Sequence, residues 1–168
     1  MSDARGESRA GRAPYRVGVI GAADGRDLDH RRAEQLGAAI AERGWLLICG
    51  GLGGVMEWAS RGAAENGGVV VGILPGPDAT EANRWVQVPI ATAMGHARNV
   101  IIAHSADVLV AIGGVYGTLS EAAIGLKLGK RVFALSPFVE LPGAVICRSV
   151  DEVLVGLDAE YSTRAPID

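Results

Sequence analysis

The chain has 168 residues, 49% of them apolar and 5% aromatic, with 24 glycines, a size and balance that suit one α/β domain. Its formal charge of −3 and pI of about 5.6 argue against a large nucleic-acid footprint and leave room only for a local basic pocket. No apolar run reaches the roughly 18 residues of a membrane helix, and a mean hydropathy of +0.24 points to surface shared between subunits, hence a homodimer or higher homo-oligomer.

Residues 1–13 are rich in Arg, Gly and Ser and lack the apolar segment of a signal peptide. They are expected to form a disordered tail ahead of a cytoplasmic ligand-binding domain over residues 14–158, with a C-terminal tail over 159–168. The first strand is expected at 15–20. A helix over 28–43 follows, with Leu36, Ala39 and Ile40 on one face and Gly44 as its stop. A strand at 45–49 leads through Gly50-Gly51-Leu52-Gly53-Gly54 into a helix over 55–66. Strands at 69–73 and 85–88 precede a helix over 96–105. The strand at 108–112 turns through Gly113-Gly114 into a helix over 119–128. Strands at 132–135 and 144–147 come next, and Ser149-Val150-Asp151-Glu152 reads as a capping box opening the last helix.

The strand segments are continuous apolar runs, the pattern of strands covered on both faces. Strand–helix alternation then implies a Rossmann-like, doubly wound, mostly parallel sheet of six or seven strands flanked by helices. Ligands of such folds sit beyond the carboxyl ends of the strands.

Three glycine turns fall at those ends, and the third is Gly21-Ala22-Ala23-Asp24-Gly25. A glycine-rich turn entering a helix presents free N–H groups and the positive end of the helix dipole, which suits a phosphate. Tight packing without a ligand is the alternative for each turn. Gly51-Leu52-Gly53 is no dinucleotide fingerprint, because Met56 stands where the third glycine belongs, and no Gly-Lys-Ser/Thr occurs. Thr118 adds a hydroxyl donor. Glu121 is either a carboxylate facing the ligand or the back-bonding member of a capping box with Thr118. Glu57 stands similarly after the first turn, as a ligand contact or a solvated helix residue. Arg98 is a bidentate anion clamp or a plain exposed arginine. His30, His96 and His104 lack metal-ligand spacing with carboxylates. Cys49 and Cys147 lie in apolar runs and read as buried thiols.

Four motifs occur in order: Gly50-Gly51-Leu52-Gly53-Gly54-Val55-Met56-Glu57, Gly72-Ile73-Leu74-Pro75-Gly76, Gly95-His96-Ala97-Arg98-Asn99, and Gly113-Gly114-Val115-Tyr116-Gly117-Thr118-Leu119-Ser120-Glu121. Together, over about residues 17–155, the chain resembles the molybdenum-cofactor carrier protein family. That family belongs to a larger group with the LONELY GUY, or lysine decarboxylase-like, cytokinin riboside 5′-monophosphate phosphoribohydrolases, and more distantly with DNA-processing protein A. In the phosphoribohydrolases a Pro-Gly-Gly-x-Gly-Thr-x-x-Glu loop binds the 5′-phosphate and ends in a catalytic glutamate. The resemblance places that glutamate at Glu121 and the catalytic arginine at Arg98. This chain departs at Gly113 for the proline, Val115 for a loop glycine, Asn99 for a lysine, and Ala22 and Ala23 for serines.

The departures fit the carrier branch better than the hydrolases. The resemblance therefore implies a bound molybdenum cofactor (molybdopterin), or else a nucleoside 5′-monophosphate cleaved to free base and ribose 5-phosphate. The implied ligand contacts are Gly50, Gly51, Gly53, Gly54, Glu57, Arg98, Asn99, Gly113, Gly114, Tyr116, Gly117, Thr118 and Glu121, with no metal site in the protein itself.

Overall fold

A computed structural model describes residues 13–164. Its elements run β1 (Arg16–Gly21), α1 (Asp27–Glu42), β2 (Leu46–Cys49), α2 (Val55–Glu65), β3 (Val69–Leu74), β4 (Val88–Ala91), α3 (Arg98–Ser105), β5 (Val108–Ile112), α4 (Tyr116–Lys127), β6 (Val132–Leu135), β7 (Val145–Cys147) and α5 (Val150–Thr163). The seven strands form one sheet in the order β4-β3-β2-β1-β5-β6-β7, and every neighbouring pair is parallel. The chain winds outward from β1 to β4, returns to lay β5 beside β1, and winds outward again to β7. The order reverses between β1 and β5, where crevices open in doubly wound sheets.

The continuous apolar runs are explained by two cores. Val17, Val19, Leu47, Cys49, Val108, Val110 and Ile112 face one core with Leu36, Ile40, Ala59, Val153 and Leu157, from α1, α2 and α5. Their strand neighbours Ile20, Ile48, Leu109 and Ala111 face the other, with Ile102, Ala103 and Ala122 from α3 and α4. Side chains alternate across a strand, so burial on both faces requires apolar residues at consecutive positions.

Helices α1 and α2 approach closely through a pair of glycines. A Cβ at Gly37 would collide with the Ala59 carbonyl, and one at Gly62 would collide with the Glu34 carbonyl. At the other end of the chain, Ser149 Oγ accepts from the Glu152 N–H at 3.2 Å, while the Glu152 carboxylate accepts from the Arg148 N–H at 2.8 Å, a reciprocal cap.

Several boundaries differ from expectation. The strand expected at 85–88 lies at Val88–Ala91, with Pro89 inside it, as an edge strand allows. Residues Gly95–Ala97 form a 3₁₀ turn, and α3 proper starts at Arg98. Helix α4 starts at Tyr116, three positions ahead of the expected Leu119, so Thr118 lies inside its first turn. Helix α5 runs to Thr163, past residue 158. Nearly all of the expected N-terminal tail lies outside the described residues. Among the described residues no helix is long and apolar enough to cross a membrane.

Candidate functional site

A cavity of about 1000 Å³ opens along the carboxyl edge of the sheet. Its floor is the β1–β5 crevice, with Gly21 to Arg26 after β1 on one side and Gly113 to Val115 after β5 on the other. Loops after β2, β3 and β6 complete the wall through Gly50 and Leu52, Pro75, and Ser136 to Phe138.

The β5–α4 turn is built for close approach. Gly113 and Gly114 adopt φ of 57° and 79°, left-handed conformations that cost L-residues with a Cβ and are closed to proline. The turn delivers the chain to α4, whose N-cap, Val115, offers no side-chain cap. The Leu119 N–H donates to the Val115 carbonyl at 2.9 Å. The amides before it face an end where helices lack internal partners. Thr118 is buried in this first turn. It does not cap the helix, so the capping-box reading of Glu121 gives way to another.

That other partner is Arg98. Glu121, one turn into α4, and Arg98, at the start of α3, are 6% and 8% exposed. Arg98 Nη1 lies 3.5 Å from Glu121 Oε1, and Nη2 donates to the Gly50 carbonyl at 3.5 Å. Both distances are long for charge-assisted contacts. The firm contact is from Nη1 to Asn99 Oδ1 at 2.5 Å. The Arg98 Nε–H is buried with no partner. Asn99 Nδ2 then donates to Ser120 Oγ at 3.3 Å, and Ser120 Oγ donates to the Gly117 carbonyl at 2.7 Å. The start of α3 is thereby tied to the first turn of α4.

Burial raises the Glu121 pKa to about 7, against the pull of Arg98. Burial lowers that of Arg98, and Glu121 opposes the shift. Each charge is under-solvated, and the pair is too loosely joined to compensate fully. Cys49 lies beneath, fully buried, with its thiol pKa also raised by burial.

Eight of the thirteen expected contacts line this cavity: Gly50, Arg98, Asn99, Gly113, Gly114, Gly117, Thr118 and Glu121. Gly51, Gly53, Gly54, Glu57 and Tyr116 are not in its lining. Gly54 instead docks the β1–α1 loop: the Val55 N–H donates to the Ala22 carbonyl at 2.9 Å, and a Cβ at Gly54 would collide with the Ala22 and Ala23 carbonyls. Tyr116 is 75% exposed and its ring meets Phe138 edge-on at 5.8 Å. Among the described residues no group of three or more His, Cys, Asp or Glu is placed to hold a metal ion.

A family model described as the SLOG cluster4 family matches residues 14–158. The chain belongs to that family. An uncharacterized protein of Archaeoglobus fulgidus is 49% identical over 138 residues, covering 82% of this chain and 91% of the relative. The structure of the molybdenum cofactor binding protein of Rippkaea orientalis is similar with a TM-score of 0.82 and 34% identity, over 88% of this chain and 97% of that one. The molybdenum cofactor carrier protein of Chlamydomonas reinhardtii gives a TM-score of 0.84 and 32% identity, over 90% and 100%. A probable cytokinin riboside 5′-monophosphate phosphoribohydrolase of Oryza sativa subsp. japonica is 37% identical over 93 residues, which is 53% of this chain and 37% of the relative.

Within this SLOG cluster4 fold, sequence reasoning missed Asp29. It is buried in the first turn of α1 and lines the cavity. An acidic residue there reads simply as a favourable partner of the helix dipole. Ser136 to Phe138 were also missed. Ser136 adopts φ of 49° without being glycine, a conformation that the sequence does not announce.

Proposed function

We propose that this protein binds a phosphate-bearing, nucleotide-like small molecule in the crevice between β1 and β5. The phosphate would sit on the amides at the N-terminus of α4, from Gly114 to Thr118, beside Arg98. The observation that carries the reading is the buried guanidinium of Arg98: its Nε–H has no partner and two of its other contacts are stretched to 3.5 Å. A buried donor left unmade costs about 1–3 kcal/mol, and a guanidinium so poorly satisfied at the cavity wall favours an anion beside it. The similarity to the Rippkaea orientalis and Chlamydomonas reinhardtii proteins supports a molybdenum cofactor, held through its phosphate, as the ligand.

The test is native mass spectrometry of the purified protein, with the Arg98→Ala variant alongside. A co-purifying pterin of defined mass, lost in the variant, is the expected result. A wild-type protein that carries no pterin and takes up neither inorganic phosphate nor any nucleoside monophosphate would sink the proposal.

A second reading is supported by Glu121. A carboxyl with a pKa of about 7 in the same cavity suits proton transfer at neutral pH. In a phosphoribohydrolase, Arg98 and the α4 amides would anchor the 5′-phosphate. Glu121 would stabilise the oxocarbenium-like state or activate the attacking water. Incubation with nucleoside 5′-monophosphates distinguishes the two: free base and ribose 5-phosphate, abolished by Glu121→Gln, mark the enzyme, and unchanged nucleotide marks the carrier.

A further inference from the structure

We propose that Phe138 is the ring-stacking wall of this cavity, so that the site favours a phosphate ester carrying a flat fused heterocycle, a pterin or a purine, over the same anion without a ring. This rests on the anion reading above and adds the residue that recognises the far end of the ligand.

The two phenylalanines of the chain are treated differently. Phe133 is 4% exposed in the core, whereas Phe138 is 59% exposed and lines the cavity. Among the described residues, the exposed Phe, Tyr or Trp rings are Phe138 and Tyr116, and they touch each other. One exposed ring is ordinary, but two in contact at the mouth of a cavity form the kind of patch that binding surfaces carry. Their centroids are 5.8 Å apart and their planes cross at 67°. In an edge-to-face pair each ring gives at most one face to the other, so Phe138 keeps a face for a third ring.

The backbone holds this ring at the cavity against local preference. Ser136 takes a left-handed φ of 49°, which an L-residue adopts only at a cost. Arg32 secures it: Nη1 donates to Ser136 Oγ at 2.6 Å and Nη2 to the Arg148 carbonyl at 2.9 Å. Phe138 also borders a small apolar recess with Leu119 and Val132, so the ring stands between that recess and the main cavity. Gly114 and Thr118 border both spaces, which puts the ring on the same wall as the proposed anion-binding amides. Strand order separates this wall from the opposite one. Phe138 follows β6 on one side of the crevice, whereas Leu52 and Met56, after β2, flank the other side and supply no aromatic ring. A heterocycle joined to the phosphate through a sugar or a short chain therefore finds its stacking partner on the β6 side.

Calorimetric titration of the full chain tests this with inorganic phosphate, ribose 5-phosphate and two ring-bearing esters. The esters are 6-hydroxymethylpterin monophosphate and the carbocyclic analogue of guanosine 5′-monophosphate, whose base cannot be hydrolysed off. Wild type is expected to bind at least one ester about tenfold to a hundredfold more tightly than ribose 5-phosphate, the scale of stacking one base on an aromatic side chain. The tighter of the two names the source of the ring. In Phe138→Ala and Phe138→Leu the preference is expected to fall to within about threefold, and in Phe138→Tyr to persist, while inorganic phosphate binds all three as it binds wild type. Esters that bind wild type no better than ribose 5-phosphate overturn the proposal whatever the variants do. A preference that survives Phe138→Ala also overturns it, and moves the ring to Leu52 and Met56. One that survives in Phe138→Leu alone reduces the contact to apolar burial and overturns the stacking. Equal losses of inorganic phosphate and esters in Phe138→Ala would make Phe138 structural and overturn it too. A ring preference that needs Phe138 but is indifferent to inorganic phosphate and to Arg98→Ala would support Phe138 and remove the anion site. No binding of any of these ligands would overturn both.

Discussion

The two glycine turns, Gly50 to Gly54 after β2 and Gly113 to Gly117 after β5, carry nearly the same sequence signal and do different jobs. Both follow a buried strand, both hold left-handed glycines, and both enter a helix that lacks a side-chain cap. The first turn reaches the cavity wall only through Gly50 and Leu52, and its helix-entering end at Gly54 is filled by protein. The Ala22 carbonyl takes the Val55 N–H, and Gly54 gives way to the β1–α1 loop. The second faces the cavity with the first turn of α4, and Arg98 and Glu121 stand beside it. A glycine turn at a strand end therefore marks close approach of something. Whether that is backbone or ligand depends on which loop lies opposite, and this is decided by strand order.

The largest test of that contrast is Gly54→Val. A side chain there meets two carbonyls and adopts an unfavourable φ of 66°. Chemical denaturation is expected to show a loss of about 3 kcal/mol or more. Gly114→Val, at an unfavourable φ of 79°, meets Thr118 Oγ1, which can turn away, and Thr118 Cβ, which moves only with the helix, and it occupies the proposed anion position. It is expected to cost only about 1–3 kcal/mol of stability and to weaken phosphate binding about 100-fold, the loss of roughly two charge-assisted hydrogen bonds. If the stability losses came in the reverse order, the assignment of roles to the two turns would be wrong.

Glu121 sharpens the second half of the contrast. Its pKa rises on folding from 4.5 to about 7, so its contribution is fully present below pH 4.5 and is lost as pH climbs toward 7. Folding stability is therefore expected to decline over that window by on the order of 1–3 kcal/mol in wild type. The decline is expected to flatten in Glu121→Gln, as urea titrations at pH 5 and 8 would reveal. Parallel slopes would mean that Glu121 stays charged throughout. The smallest effect belongs to Tyr116→Ala. With 75% of its surface in water, Tyr116 is expected to contribute less than about 0.5 kcal/mol to stability. A larger shift in melting would show that its contact with Phe138 holds the turn.

The sheet was legible because burial on both faces leaves a continuous apolar trace. At β4 the trace persists in Val88-Pro89-Ile90-Ala91, but Pro89 reads as the end of a strand, whereas this exposed edge strand runs through it. The Arg98–Glu121 pairing, 23 positions apart, leaves no local signature: each residue could be singled out from its own turn, and the resemblance gave both a catalytic role, but nothing in the sequence says that they meet. The early start of α4 was hidden by Gly117, a poor helix former that the first turn accepts. Asp29 was invisible for a different reason: a carboxylate near a helix start already has an adequate explanation in the dipole.

The interlocked glycines of α1 and α2 have a mechanical consequence for the cavity. Backbone rests directly on backbone at Gly37 and Gly62, with no side chain between to act as a spring. The loops that enter these two helices are also joined by the bond from Val55 to Ala22, so they form a stiff jaw. Facing them, residues 136–140 hang between β6 and β7 on few bonds, of which that from Arg32 to Ser136 Oγ is one. Strain from an oversized ligand would accumulate on that compliant side, and the cavity would widen there.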